Sequence, residues 1–239
     1  TIYHRFHRQP ASVRSPAFHN RIQCALREFQ VAGYFQHDVV WVSGRPVVTP
    51  VERMLIGDPG RTFKYLGLRK FALPWREGGG DETLDLSALA ELNDDFKATA
   101  LGLLTDPAVS GEAASLGGHA IRCKFDIALI NFMDPHACRD LMRPEPYAGM
   151  GTMAVAWHQD TDLMIDSTIA VYQACEADDH DWRLGLKVAW DATTPPVAIP
   201  LENGEAYYLL HDANTTLQHC VLVGGKPRFA STHRVTAGE

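Results

Sequence analysis

Residues 154–163 read AVAWHQDTDL, an apolar run that closes on a histidine and an aspartate two positions apart. Side chains repeat every two residues along a strand, so His158 and Asp160 leave such a strand on the same side. A His-x-Asp pair alone is expected roughly once by chance at this composition, so its meaning depends on the strands around it. Downstream of the glycine-rich segment SGEAASLGGH (110–119), the sequence breaks into short β-type runs bounded by Gly, Pro, Asn and Asp. Strands are expected at 125–132, 152–158, 168–175, 184–190, 196–201, 205–210, 219–223 and 228–235. Before them, apolar residues at helical spacing predict one helix over 20–29 and another over 83–104. The second would open on Asp81-Glu82-Thr83 and stop at Asp106-Pro107. Two helices followed by eight short strands, with polar residues at the strand ends, predict an α+β fold with a double-stranded β-helix (jelly-roll) core braced by N-terminal helices. An immunoglobulin-type sandwich would not place polar residues there.

Composition narrows the function classes. The 239 residues, 46% hydrophobic, suffice for one main core. A formal charge of −7 argues against binding duplex nucleic acid through a broad basic surface, though not against a local basic groove. No run of 18 apolar residues exists and the first ten residues lack the apolar stretch of a signal peptide, so a soluble chain with no membrane partner is expected. Cys24, Cys123, Cys138, Cys175 and Cys220 are odd in number and scattered without a C-x-x-C pair, which suits free thiols in a reducing compartment.

A third metal ligand would change the weight of the opening pair. A non-haem Fe(II) oxygenase needs two imidazoles and one carboxylate on one face of the metal, with the remaining positions open. On a jelly roll the second histidine comes from a strand near the C-terminus, where His219 opens HCVLVGG. Arg228 and Arg234 follow in PRFASTHR with equal parity, so both can point into one barrel. The planar fork of arginine suits a dicarboxylate. Each residue has a plainer reading: His211 and His233 flank the candidates and could compete for the metal, and an isolated Arg is commonly a structural ion-pair partner. Order and spacing together favour the oxygenase site. A cupin-like isomerase or storage protein would not need the paired arginines.

The blocks TPVERMLIGDPGRTFKYL (49–66), LINFMDP (129–135), EPYAGMGTMAVAWHQD (145–160), LKVAWDATTPPVAIPL (186–201) and NTTLQHCVLVGGKPRFASTHRV (214–235) resemble the fat mass and obesity-associated (FTO) branch of the AlkB-like 2-oxoglutarate-dependent nucleic-acid demethylases. That resemblance implies Fe(II) held by His158, Asp160 and His219. It also implies 2-oxoglutarate as cosubstrate, bound by Arg228 with Arg234, Asn131 and Tyr207, and O2 as oxidant. The base pocket it implies comprises Arg53, Tyr65, Leu66, Val51, Trp157, Thr161 and Arg143, the last standing where relatives have a lysine. The implied activity is oxidative demethylation of N-methylated bases, N6-methyladenine first, in single-stranded RNA or DNA in the nucleus or cytoplasm, releasing formaldehyde, succinate and CO2.

Two departures bear on this. Thr161 replaces a glutamate that reads the base edge in relatives, which keeps 3-methylthymine, 3-methyluracil and methylcytosine open as substrates. Ala230 replaces a cosubstrate-holding serine, which leaves a catalytically silent nucleic-acid-binding module as a rival. Arg61, Lys64, Arg69 and Lys70, beside Tyr65, are expected to form a phosphate-facing rim. The expected organisation is a single dioxygenase domain with a helical and substrate-lid portion at about 1–124 and a jelly-roll core at about 125–239. Because the sequence ends five residues past Arg234, the helical C-terminal domain of the family is not expected in it.

Overall fold

The computed structural model describes residues 3–75, 86–110, 116–175 and 181–237. Its N-terminal half runs β1 (Phe6–Gln9), α1 (Pro16–Val31), β2 (Gln36–Val42), β3 (Arg45–Gly57), β4 (Thr62–Tyr65), β5 (Leu68–Phe71), β6 (Leu73–Pro74), α2 (Ser87–Thr105), α3 (Pro107–Ser110) and α4 (Leu116–Arg122). Then follow β7 (Ile127–Met133), β8 (Arg143–Pro144), β9 (Thr152–His158), β10 (Ile169–Cys175), β11 (Arg183–Val188), β12 (Val197–Pro200), β13 (Ala206–Leu209), α5 (Ala213–Thr216), β14 (Leu217–Leu222) and β15 (Arg228–Arg234). The eight strands expected after residue 124 are all present, each within two residues at either end.

Two antiparallel sheets face each other as a jelly roll. The major sheet has the order β1-β13-β10-β15-β7-β3-β2, with β6 added in parallel on β3. The minor sheet has the order β12-β11-β14-β9-β8. A separate hairpin, β4-β5, stands at the rim.

Three strands of the major sheet come from the first 57 residues, so the portion expected at about 1–124 to be helical and substrate lid also builds the sheet, and the core is not confined to about 125–239. The strand signal there is masked. β3, RPVVTPVERMLIG, carries Pro46 and Pro50, which cannot donate to a ladder. β2 slips register between His37 and Val39, which breaks its alternation. The helices occupy the outer face of the major sheet. α1 starts earlier than its apolar pattern because Ser15 Oγ accepts from the Phe18 amide at 3.2 Å and Pro16 takes the first helical position. The expected acidic start of α2 at 81–83 lies outside the described residues; its C-terminal stop at Asp106 is as expected.

Parity along the central strands then decides what each residue does. Ala128, Ile130 and Phe132 of β7, Tyr172 of β10 and Phe229 of β15 pack against Ile22, Leu26 and Phe29 of α1 and Leu89, Leu92 and Phe96 of α2. Their neighbours Asn131, Val171, Tyr207, Arg228, Ala230, Thr232 and Arg234 face the opposite way and line the space between the sheets. Because both faces are covered, these strands read as continuous buried runs, without the polar and apolar alternation of a half-exposed sheet.

Candidate active site

His158 and His219 stand directly opposite each other where β9 pairs with β14, with ring centroids 4.1 Å apart. His158 Nε2 is 3.6 Å from Asp160 Oδ1, and the ligand atoms of His158, Asp160 and His219 all lie within 4.8 Å of one another. This N,N,O donor set is that of a facial Fe(II) site. The His158 ring points correctly because its Nδ1–H donates to the Ala156 carbonyl at 2.8 Å, leaving Nε2 as the lone-pair donor. His219 Nδ1 is buried without a hydrogen-bond partner. Burial, then the neighbouring His158, pushes its pKa down to about 3, so the ring is the neutral imidazole a metal requires.

Asp160 is placed from two directions. Its backbone N–H donates to Asn214 Oδ1 at 2.9 Å, and Asn214 Nδ2 returns a bond to the Asp160 carbonyl at 2.8 Å, so α5 pins the main chain just past β9. Arg234 closes a fork on the carboxylate, Nε to Oδ2 at 3.1 Å and Nη2 to Oδ1 at 2.8 Å. Burial alone would raise the Asp160 pKa, but the Arg234 charge and both histidines hold it far below the carboxylate range. Arg234 therefore orients a ligand as well as bordering the cavity, and its guanidinium rests 4.9 Å over the Phe63 ring.

The cavity these groups line has a volume of about 480 Å3. Arg228, 1% exposed, sits on its wall with its guanidinium 5.3 Å over the Trp182 ring and hydrogen-bonded to Gln173 Oε1. Tyr207 is buried beside it, and burial raises its phenol pKa. Thr232, not singled out from the sequence, presents a hydroxyl between Arg228 and Arg234 on the same face. The alternation that paired the two arginines would have found it. Ala230 lines the same wall without a donor.

At the mouth stand Arg53, Tyr65, Leu66, Trp157 and Thr161. Arg53 Nε donates to Asn131 Oδ1 at 2.9 Å across the β3-β7 register, joining the mouth of the cavity to its interior wall. Sequence reasoning missed the anchor of this wall, Asp38, 5% exposed on β2. It accepts from the Tyr65 hydroxyl, takes Lys70 Nζ at 2.6 Å and lies 3.5 Å from Arg53 Nη1. Trp157 Nε1 donates to Glu145 at 2.9 Å, fixing the indole.

Several expected roles are not met by position. Val51 is fully buried in the core with Met133 and Met142 and does not line the cavity. Arg143 is exposed and donates to the carbonyls of Asp140 and Met142, away from the cavity. His233 does not compete for metal. It faces the helices, held by Asn93 Oδ1 at 2.7 Å and Ser231 Oγ at 2.9 Å, with burial pushing its pKa down to about 3. His211 Nδ1 lies 3.2 Å from Arg122 Nη1, and His211 is not among the clustered ligands. Of the rim cations, Arg61 and Lys70 are turned to Asp126 and Asp38. Asp162 shares the parity of His158 and Asp160, but it is left-handed at φ 60° and accepts from the Lys64 amide, so it joins the hairpin and does not line the cavity.

Comparison with known proteins gives the family. A family model described as the FTO catalytic domain matches residues 1–237. The alpha-ketoglutarate-dependent dioxygenase FTO of Xenopus laevis is 36% identical over 261 residues, covering 91% of this chain and 51% of that protein. The chain thus spans about half the length of the curated relative it matches. Among solved structures, that of OsALKBH1 matches with a TM-score of 0.53 at 14% identity, covering 96% of this chain and 97% of its own, a likeness of fold.

Proposed function

Because the chain belongs to the FTO catalytic-domain family, we propose that it is an Fe(II)- and 2-oxoglutarate-dependent oxidative demethylase of N-methylated nucleobases in unpaired strands, N6-methyladenine first. The observation that carries this is the convergence of His158, Asp160 and His219 on the wall of the same cavity as the buried Arg228. Iron and 2-oxoglutarate, when bound, supply with O2 the oxidation of the methyl group, which leaves as formaldehyde beside succinate and CO2.

The chain's own part is positioning. His158 and His219 offer ring nitrogens, and Asp160 offers a carboxylate already oriented by Arg234 and Asn214. Arg228 is placed to receive the distal carboxylate of 2-oxoglutarate, with the Thr232 hydroxyl able to supply the donor that Ala230 lacks. At the mouth, Tyr65 offers a stacking face and Arg53 a donor for an extruded base, both held by Asp38. A base must leave its stack to reach the ligands, which favours single strands.

A second reading keeps the chemistry and changes the base. Thr161 lines the cavity and presents a hydroxyl, which cannot offer a carboxylate to an exocyclic N–H; 3-methylthymine or 3-methyluracil would then be preferred. The test for both is incubation with Fe(II), ascorbate, 2-oxoglutarate and a panel of methylated oligonucleotides, with formaldehyde and nucleosides followed by mass spectrometry. Demethylation that is lost in His158→Ala supports the reading. A metallated sample that turns over neither 2-oxoglutarate nor any methylated strand overturns it. Thr161→Glu is expected to move base preference toward N6-methyladenine if the preferred base proves to be another.

A further inference from the structure

A fully buried amide stands behind the cavity wall. Gln173 lies on β10, between β13 and β15, with none of its surface exposed. Its backbone N–H donates to the Glu205 carbonyl at 2.9 Å, and its carbonyl accepts from the Gly204 N–H at 2.8 Å. Both groups turn away from β15, so Gln173 forms a non-hydrogen-bonded pair with Ala230, the kind whose facing side chains stand closest. Ile169 and Val171, four and two residues earlier on β10, line the cavity, and Gln173 extends from the same face without reaching it. Arg228, opposite Cys175, is its diagonal neighbour across the ladder, and a methyl at 230 leaves that diagonal open.

The amide uses this opening. Gln173 Oε1 accepts from Arg228 Nη2. A guanidinium carries donors only, so it must meet the amide oxygen, which turns Nε2 the other way. There Nε2 is buried without a hydrogen-bond partner among the described residues. Burying an unpaired donor is unfavourable, and a leucine would fill similar volume without one. The amide is therefore explained by its oxygen. A carboxylate would accept equally well, but its charge would face the same guanidinium and repel an incoming dicarboxylate. On another side the Trp182 ring lies 5.3 Å from the guanidinium, with the indole fixed by its Nε1–H donating to the Lys226 carbonyl at 2.8 Å.

We infer that Gln173 is a positioning residue for the dicarboxylate cosubstrate. Its amide oxygen holds the Arg228 guanidinium in place without neutralising it, so the fork meets the distal carboxylate already oriented. This rests on the reading of Arg228 as the partner of that carboxylate. Gln173 touches no ligand and acts through Arg228, and the gain is one of preorganisation. A keto acid that lacks the distal carboxylate gains nothing from it.

The experiment loads the protein with Mn(II) in place of iron, so that calorimetry reads binding without turnover. The titrants are 2-oxoglutarate and 2-oxopentanoate, which carries a methyl where the distal carboxylate would be. Gln173→Leu is expected to weaken 2-oxoglutarate about tenfold and to leave 2-oxopentanoate unchanged. Gln173→Glu, of the same size, should weaken 2-oxoglutarate by about 100-fold, again sparing 2-oxopentanoate. Equal weakening of both ligands in Gln173→Leu would make Gln173 a packing residue and overturn the inference. A Gln173→Glu that binds 2-oxoglutarate as tightly as the unsubstituted protein would overturn it too, and this variant decides the matter where Gln173→Leu does not fold. An unsubstituted protein that binds both ligands equally would sink the reading of Arg228 and the role of Gln173 with it. A preference for 2-oxoglutarate that survives intact in Gln173→Leu would sink the inference alone.

Discussion

β15 and the β4-β5 hairpin supply walls of one cavity by contrasting means. β15 is central in the major sheet, paired on both sides, and every one of its residues is buried. Its functional groups are placed by the pleat: Arg228, Ala230, Thr232 and Arg234 face the cavity, while Phe229, Ser231 and His233 face the helices. The hairpin is four residues to a strand, joined by a turn with Leu66 at φ 44° and Gly67 at φ 81°, and it is held to the body partly by ion pairs to Asp38 and Asp126. A rigid ladder suits groups that orient others, as Arg234 orients Asp160. A small, clamped, partly strained hairpin suits groups that meet a larger substrate, and substitutions in the two walls should fail differently.

The sharpest break in that contrast would come from Arg228. Arg228→Met keeps much of the buried volume but removes the fork that receives a carboxylate. With roughly 1.5–3 kcal/mol for each hydrogen bond to a charged group, KM for 2-oxoglutarate should rise at least about 100-fold, measured by succinate formation. KM for the methylated strand should barely move. Equal losses in both would show that the two walls do not divide the work.

The opposite face of β15 gives a pH signature. His233 is fully buried and its pKa is pushed down to about 3, by burial first and then by nearby cations, from an unfolded value near 6.5. The unfolded chain therefore binds the extra proton between these values. Stability is complete above about pH 6.5 and is lost as pH falls toward 3, by about 2 kcal/mol at pH 5 from this group. Replacing His233 with Asn should flatten the fall in Tm between pH 7.5 and pH 5 in the iron-loaded protein. An unchanged fall would assign the acid sensitivity to another group.

The same contrast explains what was legible in the sequence. Both arginines and all eight later strands could be read because parity on a ladder is a local rule, and β15 obeys it, whereas His158, Asp160 and His219 come together from the end of β9, the turn after it and β14. Thr232 was available to that rule and overlooked. Asp38 was not available, because its partners Arg53, Tyr65 and Lys70 lie on other strands across irregular pairings, and β2 slips register beside it. Val51 and Arg143 were carried over by resemblance alone, and neither lines the cavity. The N-terminal strands were hidden by two prolines and a bulge, and the β4-β5 turn by a leucine in a conformation that favours glycine or asparagine.

Asp38→Asn tests whether the hairpin wall is electrostatically clamped. The amide keeps the size and removes the charge that faces Arg53, Tyr65 and Lys70. KM for a methylated single strand should rise roughly tenfold, in line with about 1.4 kcal/mol lost from orientation of the pair. KM for 2-oxoglutarate and iron retention should stay unchanged, a split that general destabilisation would not produce. A parallel rise in both KM values would make Asp38 a fold residue only.

The smallest effect should come from Leu66. A leucine at φ 44° carries backbone strain of roughly 1–2 kcal/mol, and at 57% exposed it returns little of that by packing. Asn accepts the left-handed conformation better, so Leu66→Asn should leave Tm unchanged or raise it by a few degrees. The same change removes the apolar edge that Leu66 lends to the cavity mouth, and KM for the methylated strand should rise several-fold. A lower Tm with unchanged KM would mean that Leu66 is a packing residue and that strain at this turn serves no substrate. A stable variant with weaker strand binding would identify the strain as part of how the hairpin wall is shaped, a cost the ladder of β15 never carries.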